Sequence, residues 1–214
     1  KGAIFMYNPA NGDGRITGTA ASLLGLEKAL DSGDAYATER AVARIRLMHG
    51  LILAAAGIPM IYAGDELGMC NDYSYLKDPD RARDSRWLNR PFQDWEKVAA
   101  LDQADLPSSM IFEALRHLIR IRKTNPVFAD LGNVEYPDAG NEHIFAMQRS
   151  AGTEGVMVLG NFDEKIQVVN AGWLSRLGYL REGSYTDLVS GETREVHSGL
   201  LELDPLALLW LRRH

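Results

Sequence analysis

The chain has 214 residues, 46% of them hydrophobic, with 23 Lys and Arg set against 29 Asp and Glu for a formal net charge of −6; that is enough length and apolar content for one large or two small globular domains. The acidic balance and the dispersed cations argue against a nucleic-acid partner, which selects a basic patch or stripe, and no apolar run approaches the roughly 18 to 20 residues that cross a bilayer, so no membrane partner is expected. A single cysteine, Cys70, excludes an intrachain disulfide framework and a cysteine-rich metal site, reads as an incidental loop thiol, and fits a reducing, cytoplasmic setting.

The chain opens Lys1-Gly2-Ala3, with no initiator Met and no signal pattern, and reads from its first residues as the middle of something. Residues 1 to about 105 offer one long helix, one buried strand and one long loop, too little to close a sheet, so a fragment completed by upstream sequence is the expectation. From Tyr7 to Arg15 the run YNPANGDGR is dense in turn formers and predicts backbone turns without a regular element. Arg15 closes it, with Asp13 its obvious local partner. TGTAASLLGL then makes a short packed segment, broken by Asp31-Ser-Gly-Asp34.

A helix is predicted from an N-cap at Asp34 to about Ala56. Val42, Ile45, His49 and Ile52 fall on one face, and the last turns, LILAAAG, are apolar all round and expected to be buried. His49 on that face reads as a hydrogen-bonded core histidine, since no second ligand type stands at metal-binding spacing. The run begun by Gly57, with Ile58, Met60, Ile61 and Tyr62, predicts a strand buried on both faces of a parallel sheet and ending at Gly64. Asp65 and Glu66 follow, then a long loop rich in Asp and Arg that also holds Tyr73, Tyr75 and Trp87. Loops of that length are functional or disordered, and the aromatics argue against disorder. Spacing leaves open whether this is a substrate loop or a solvated crossover whose charges pair with one another.

Residues 93 to 104 are polar, with Trp95 the one large anchor. Pro107 and the serines after it open a second helix striped by Ile111, Leu115, Leu118 and Ile119; Arg116, Arg120, Arg122 and Lys123 are expected mostly in water, and Asn125-Pro126 ends it. Beyond about Val134 the period shortens. Strands are predicted at 143–148, 156–159, 166–169, 185–188, 200–203 and 206–211, an antiparallel sandwich. Trp173 and Trp210 read as core or interdomain aromatics before sugar-stacking ones.

Two motifs carry a family likeness. G-I-P-M-I-Y-A-G-D-E-L-G resembles the segment around the eighth barrel strand of the α-amylase superfamily, glycoside hydrolase family 13, and N-D-Y-S-Y followed by D-S-R-W-L-N-R-P resembles its amylosucrase and sucrose hydrolase branch. V-L-G-N-F-D, D-L-V-S-G-E and L-D-P-L-A-L-L-W-L are similar to that superfamily's C-terminal domain. The resemblance implies an α/β architecture: residues 1–30 belong to an inserted loop-rich subdomain, 31–130 to the last units of a (β/α)8 barrel with the loop after its eighth strand, and 131–214 to a C-terminal β-sandwich.

The resemblance further implies a retaining reaction on sucrose and α-glucan, with a carboxylate nucleophile and an acid/base both upstream of Lys1, on the preceding part of the same polypeptide. The chain alone is therefore expected to be inactive, and it calls for no cofactor or metal. Arg86, in D-S-R-W, matches the arginine that pairs with an upstream Asp at the bottom of the glucosyl pocket. By their position alone the flanking Asp84 and Trp87 either fix its approach, by charge and by stacking respectively, or form with it an ordinary loop salt bridge. Arg15, in G-D-G-R, matches an arginine that holds the acceptor or fructosyl half. Asp65 and Glu66, adjacent on an extended strand end, point apart and read as structural residues pairing with neighbouring loops. Departures around Gly14 and Met69-Cys70 leave transfer against hydrolysis open. The alternatives are another α-glucosidase or glucan-modifying member of the superfamily and a non-catalytic sugar-binding module.

Overall fold

The structure is a computed structural model that describes residues 1–213. Its backbone divides into two compact units. The first comprises residues 1–45 and 61–113. It begins with an antiparallel hairpin, β1 (Ala3–Asn8) and β2 (Asp13–Thr17), registered Ile4 to Ile16 and Phe5 to Arg15. The turn formers do build a turn: Asn8 Oδ1 accepts from Ala10 N at 3.0 Å and Asn11 Oδ1 from Asp13 N at 3.0 Å. Contrary to the sequence expectation, the residues on either side form strands. Ile4, Phe5, Ile16 and Thr17 are β-branched or aromatic and sit across the turn from one another, which favours pairing.

Helix α1 (Ala20–Leu23) is capped by Thr19, whose Oγ1 accepts from Ser22 N at 3.2 Å. Helix α2 (Leu26–Ser32) ends at Gly33 with φ 64°, a left-handed conformation that glycine adopts without strain. Helix α3 (Ala35–Ala54) starts where predicted, with Asp34 Oδ1 accepting from Ala37 N at 2.9 Å. Its stripe is buried at Val42, Ile45 and His49, whereas Ile52 is exposed.

The strand predicted after α3 is not formed. Residues 56–63 are irregular, with Ile58 85% and Met60 81% exposed. A parallel strand exists only through ladders with its neighbours, and among the described residues no strand pairs with this segment.

The long loop is ordered by three 3₁₀ turns, Asp65–Leu67, Ser74–Lys77 and Ser85–Asn89. Its aspartates largely explain that order. Asp72 Oδ1 accepts from Ser74 N at 2.8 Å, Asp78 Oδ1 from Asp80 N at 3.0 Å and Asp84 Oδ1 from Arg86 N at 3.0 Å, each a short side chain satisfying a backbone donor two residues on. Helix α4 (Trp95–Ala99) is capped by Asp94, but Trp95, expected to anchor this stretch, is exposed. Helix α5 (Pro107–Thr124) starts at a proline whose missing N–H is an orphan at that position anyway.

The second unit comprises residues 46–60 and 114 onward. Its centre is a six-stranded antiparallel sheet built from β3 (Val134–Glu135), β4 (Ile144–Ala151), β5 (Glu154–Asn161), β7 (Gly183–Asp187), β8 (Thr193–Val196) and β10 (Leu208–Arg213), ordered β3-β4-β5-β10-β7-β8. β6 (Gln167–Asn170) and β9 (Leu200–Leu203) pair separately, and α6 (Ala171–Arg176) follows β6. β3, β8 and α6 went unpredicted, being short and weakly patterned.

Ala146, Met157, Leu159, Leu209 and Leu211 join Val169, Leu174, Leu201 and Leu203 in one core. From the opposite face Met147, Val156, Val158, Leu208 and Trp210 join Leu47, Leu53, Leu118, Ile121 and Phe128 in a second. Coverage of both faces explains why β5 and β10 read as nearly continuous apolar runs. Trp210 is fully buried with its ring 4.9 Å from that of Phe128, so it is a core residue, while Trp173 is exposed.

Two family-like motifs turn out to hold backbone. Asn161 Nδ2 donates to Lys165 O at 2.9 Å and Asp204 O at 2.8 Å, and Asp187 accepts from Trp210 N at 2.9 Å and Ser190 Oγ at 2.7 Å. Arg122, expected in water, instead donates to the carbonyls of Leu53, Ala55 and Gly57. The end of a helix leaves acceptors that a cation satisfies well. Fully buried Arg149 completes the cap, from Nη1 to Ala54 O at 2.7 Å and from Nε to Asn133 O at 3.0 Å.

Candidate functional site

The first unit brings Arg86 and Arg15 to one residue, Phe5. The turn Ser85–Asn89 places the Arg86 guanidinium 5.0 Å from the centre of the Phe5 ring. Arg15 is the cross-strand partner of Phe5, so the two side chains share a face of the hairpin. The site therefore combines two cations and an aromatic ring on an exposed surface.

Asp84 holds the edge of the Arg86 guanidinium. Arg86 Nε donates to Asp84 Oδ1 at 2.9 Å and Nη2 to Oδ2 at 2.8 Å, a two-pronged pairing that fixes the plane of the guanidinium. The hydrogen bonds from Arg86 hold the Asp84 carboxyl below its ordinary range, and those same bonds push the Arg86 pKa up. Trp87 has a different task from the one its position in D-S-R-W suggested. Its ring carries Arg81 at 4.4 Å and Arg90 at 5.3 Å, while the aromatic under Arg86 is Phe5. A 3₁₀ turn sends consecutive side chains in different directions, so neighbours in sequence are not neighbours in space.

Asp65 and Glu66 lie in the turn Asp65–Leu67 and not on a strand end. Glu66 Oε2 accepts from Gly64 N at 2.8 Å, so it closes its own turn where pairing with a neighbouring loop was expected. Burial pushes the Cys70 thiol up, away from nucleophilic reactivity.

Sequence reasoning missed Phe5 and a set of polar contacts around Asn71. Tyr73 OH donates to Glu27 Oε1 at 2.9 Å, and Asn71 reaches both Thr19 and Ser22. Glu27 is buried; desolvation pushes its carboxyl up, but hydrogen bonds from Ser22, Tyr73 and Lys1 leave it below the ordinary value of 4.5. The only advance signal was composition, since N-D-Y-S-Y and G-T-A-A-S are rich in short polar side chains that satisfy backbone.

No family model matches the chain. Solved structures do share its fold. An AmyP variant in complex with maltotriose aligns at TM-score 0.62 with 16% identity, over 81% of this chain and 35% of that one. XgtA, an α-glucosyl transfer enzyme, aligns at 0.57 with 18% identity over 80% of this chain and 36% of its own. The trehalulose synthase MutB from Pseudomonas mesoacidophila aligns at 0.52 with 20% identity over 80% and 38%. The chain thus spans little more than a third of the length of these structures. What it shares with them is the mixed α/β fold with antiparallel sheets.

Proposed function

We propose that the chain is the C-terminal part of a retaining α-glucosyl transferase or hydrolase of the α-amylase superfamily, acting on sucrose and α-glucan, with Arg86 and Arg15 lining its sugar site. The convergence of these two arginines on Phe5 carries the reading. They are far apart in sequence and were picked out by different motifs, so a common location is what a shared ligand requires. Guanidinium donors fit sugar hydroxyls, and the Asp84 pairing holds one guanidinium in a fixed plane. The fold shared with enzymes named for α-glucosyl transfer and trehalulose synthesis adds support.

In this reading a carboxylate of the upstream polypeptide attacks the anomeric carbon, an acid protonates the departing fructosyl oxygen, and water or a glucan then takes the glucosyl unit. Asp65 and Glu66 supply neither group, because they occupy one structural turn. The test is sucrose turnover by the full-length enzyme with Arg86→Lys, which keeps the charge but loses the two-pronged pairing. A loss of tenfold or more in kcat/KM for sucrose, with longer α-glucans affected less, is expected. A change within about threefold, under half of the 1.4 kcal/mol that makes tenfold, removes Arg86 from the proposed sugar site.

A further inference from the structure

Arg15 and Arg86 lie on separate segments, and two consecutive residues staple those segments together. Asn71 Oδ1 accepts from Thr19 N at 2.8 Å, just past the end of β2, and Asn71 N donates to Ser22 Oγ at 2.8 Å. Asp72 N donates to Leu88 O at 2.9 Å, within the turn that carries Arg86. Besides the direct contact of Arg86 with Phe5, a hydrogen-bonded path therefore joins the Arg15 strand to the Arg86 turn through a single Cα–Cα step of about 3.8 Å.

The staple is packed as well as bonded. Ser22 is fully buried, and Thr19 Oγ1 donates to its Oγ at 3.0 Å. Asn71 Nδ2 reaches Lys1 O at 3.3 Å and Tyr73 OH at 3.4 Å, and Tyr73 passes the network on to buried Glu27. A Cβ at position 18 would stand 3.3 Å from Asn71 Oδ1, tighter than side chains normally tolerate, so Gly18 lets the strand end approach the amide. With partners on both the acceptor and the donor side, the amide has little freedom to turn.

We infer that Asn71 is a positioning residue for sugar handling: it sets the separation of Arg15 from Arg86, and hence how the acceptor half of the substrate is held relative to the glucosyl half. The inference rests on the sugar-site reading above. Asn71 touches no substrate in it and acts through the two arginines. A merely structural residue would lower stability alone, whereas this one divides glucosyl transfer from hydrolysis.

The experiment uses the full-length enzyme. Asn71→Leu removes acceptor and donors at similar volume, and Asn71→Asp keeps the acceptor for Thr19 N. Asn71→Leu is expected to shift the ratio of glucan transfer to hydrolysis and raise the KM for sucrose at least fivefold, with kcat changed less than twofold; Asn71→Asp recovers at least half of the shift. Hydrogen exchange on the same samples shows faster exchange at the Thr19 and Asp72 amides with β4 and β5 still protected. Should the leucine variant fold poorly, Ser22→Ala leaves the Asn71 side chain intact but removes the hydroxyl that accepts from Asn71 N and Thr19 Oγ1 and bonds Glu27, and shifts the ratio in the same direction by a smaller factor. Loosened Thr19 or Asp72 amides with an unchanged product ratio and KM overturn the inference. If Arg15→Ala and Arg86→Lys themselves leave ratio and KM unchanged, the sugar-site reading falls first and takes the inference with it.

Discussion

Within the second unit, α3 meets the large sheet through Gly50, and the contact is close enough to reverse the usual effect of a helix glycine. A methyl at position 50 would overlap Leu208 Cδ2 and lie 3.2 Å from its Cδ1 and Cγ. Leu208 is buried in the core that also holds Leu47, Leu53 and Trp210, so it has little room to retreat. Gly50→Ala gains about 1 kcal/mol of helix propensity. Overpacking a filled core costs about 1–3 kcal/mol. The substitution should therefore destabilise by about 1 kcal/mol.

The sign reverses once Leu208 is truncated. Leu208→Ala alone costs about 2–5 kcal/mol. In that background the new methyl at position 50 enters vacated space, and only the helix gain of about 1 kcal/mol remains. The two substitutions should thus couple by about 2 kcal/mol. Urea unfolding read by the fluorescence of Trp210, in a background with Trp87, Trp95 and Trp173 replaced by Phe, measures each corner of the cycle within this unit. With a slope of about 2 kcal/mol/M, Gly50→Ala moves the midpoint by about 0.5 M in either background, in opposite directions. If Gly50→Ala stabilises both backgrounds equally, the helix does not approach the sheet as described.

Three further outcomes are expected. Arg149→Met should destabilise by about 3 kcal/mol, because it strips the carbonyls of Ala54, Val127, Asp130 and Asn133 of a donor in a fully buried site; a loss under about 1 kcal/mol in urea unfolding would show those carbonyls satisfied otherwise. Because the Glu27 carboxyl lies below its ordinary 4.5, it contributes stability above that pH which is lost as the pH falls through its folded value, so the protection of the Thr19 and Asp72 amides, relative to their intrinsic exchange at the same pH, should fall in acid, and Glu27→Gln should flatten that dependence; an unaltered acid profile in the variant would exclude Glu27 as its source. Under the proposed function, Arg15→Ala in the full-length protein should shift glucan transfer against hydrolysis while leaving sucrose cleavage nearly intact, measured as the ratio of glucan to free glucose at fixed fructose release; an unchanged ratio removes Arg15 from the proposed site.

The elements that proved legible are those whose cause is local. Asp34, Pro107 and Asn125 bound helices because capping, a missing N–H and a following proline act within one turn. Strands β5 and β9 were read within two residues because alternation or a continuous apolar run records which faces are covered. The segment 57–63 has the composition of a strand and is not one, because a strand is completed by a partner that its own residues do not specify. The hairpin β1–β2 failed in the opposite direction: the turn formers dominate the reading, and the pairing of Phe5 with Arg15 depends on register across the turn.

The candidate site divides along the same line, and the division bears on its chemistry. Arg15 and Arg86 stand out as charged residues within motifs, but their placement is decided by residues that carry no catalytic signature: Phe5 through cross-strand register, Asn71 through an amide that reaches Thr19 across the unit. Such residues are chosen by the number and direction of their hydrogen bonds or by a ring face. Glutamine or aspartate at position 71 looks conservative in sequence, yet a longer side chain moves the acceptor and a carboxylate loses the donors to Lys1 O and Tyr73 OH. Substitutions at the two arginines test whether sugar binds here. Substitutions at Asn71 test something that sequence likeness alone does not reach: whether the separation of the two guanidinium groups, and not merely their presence, decides where the glucosyl unit goes.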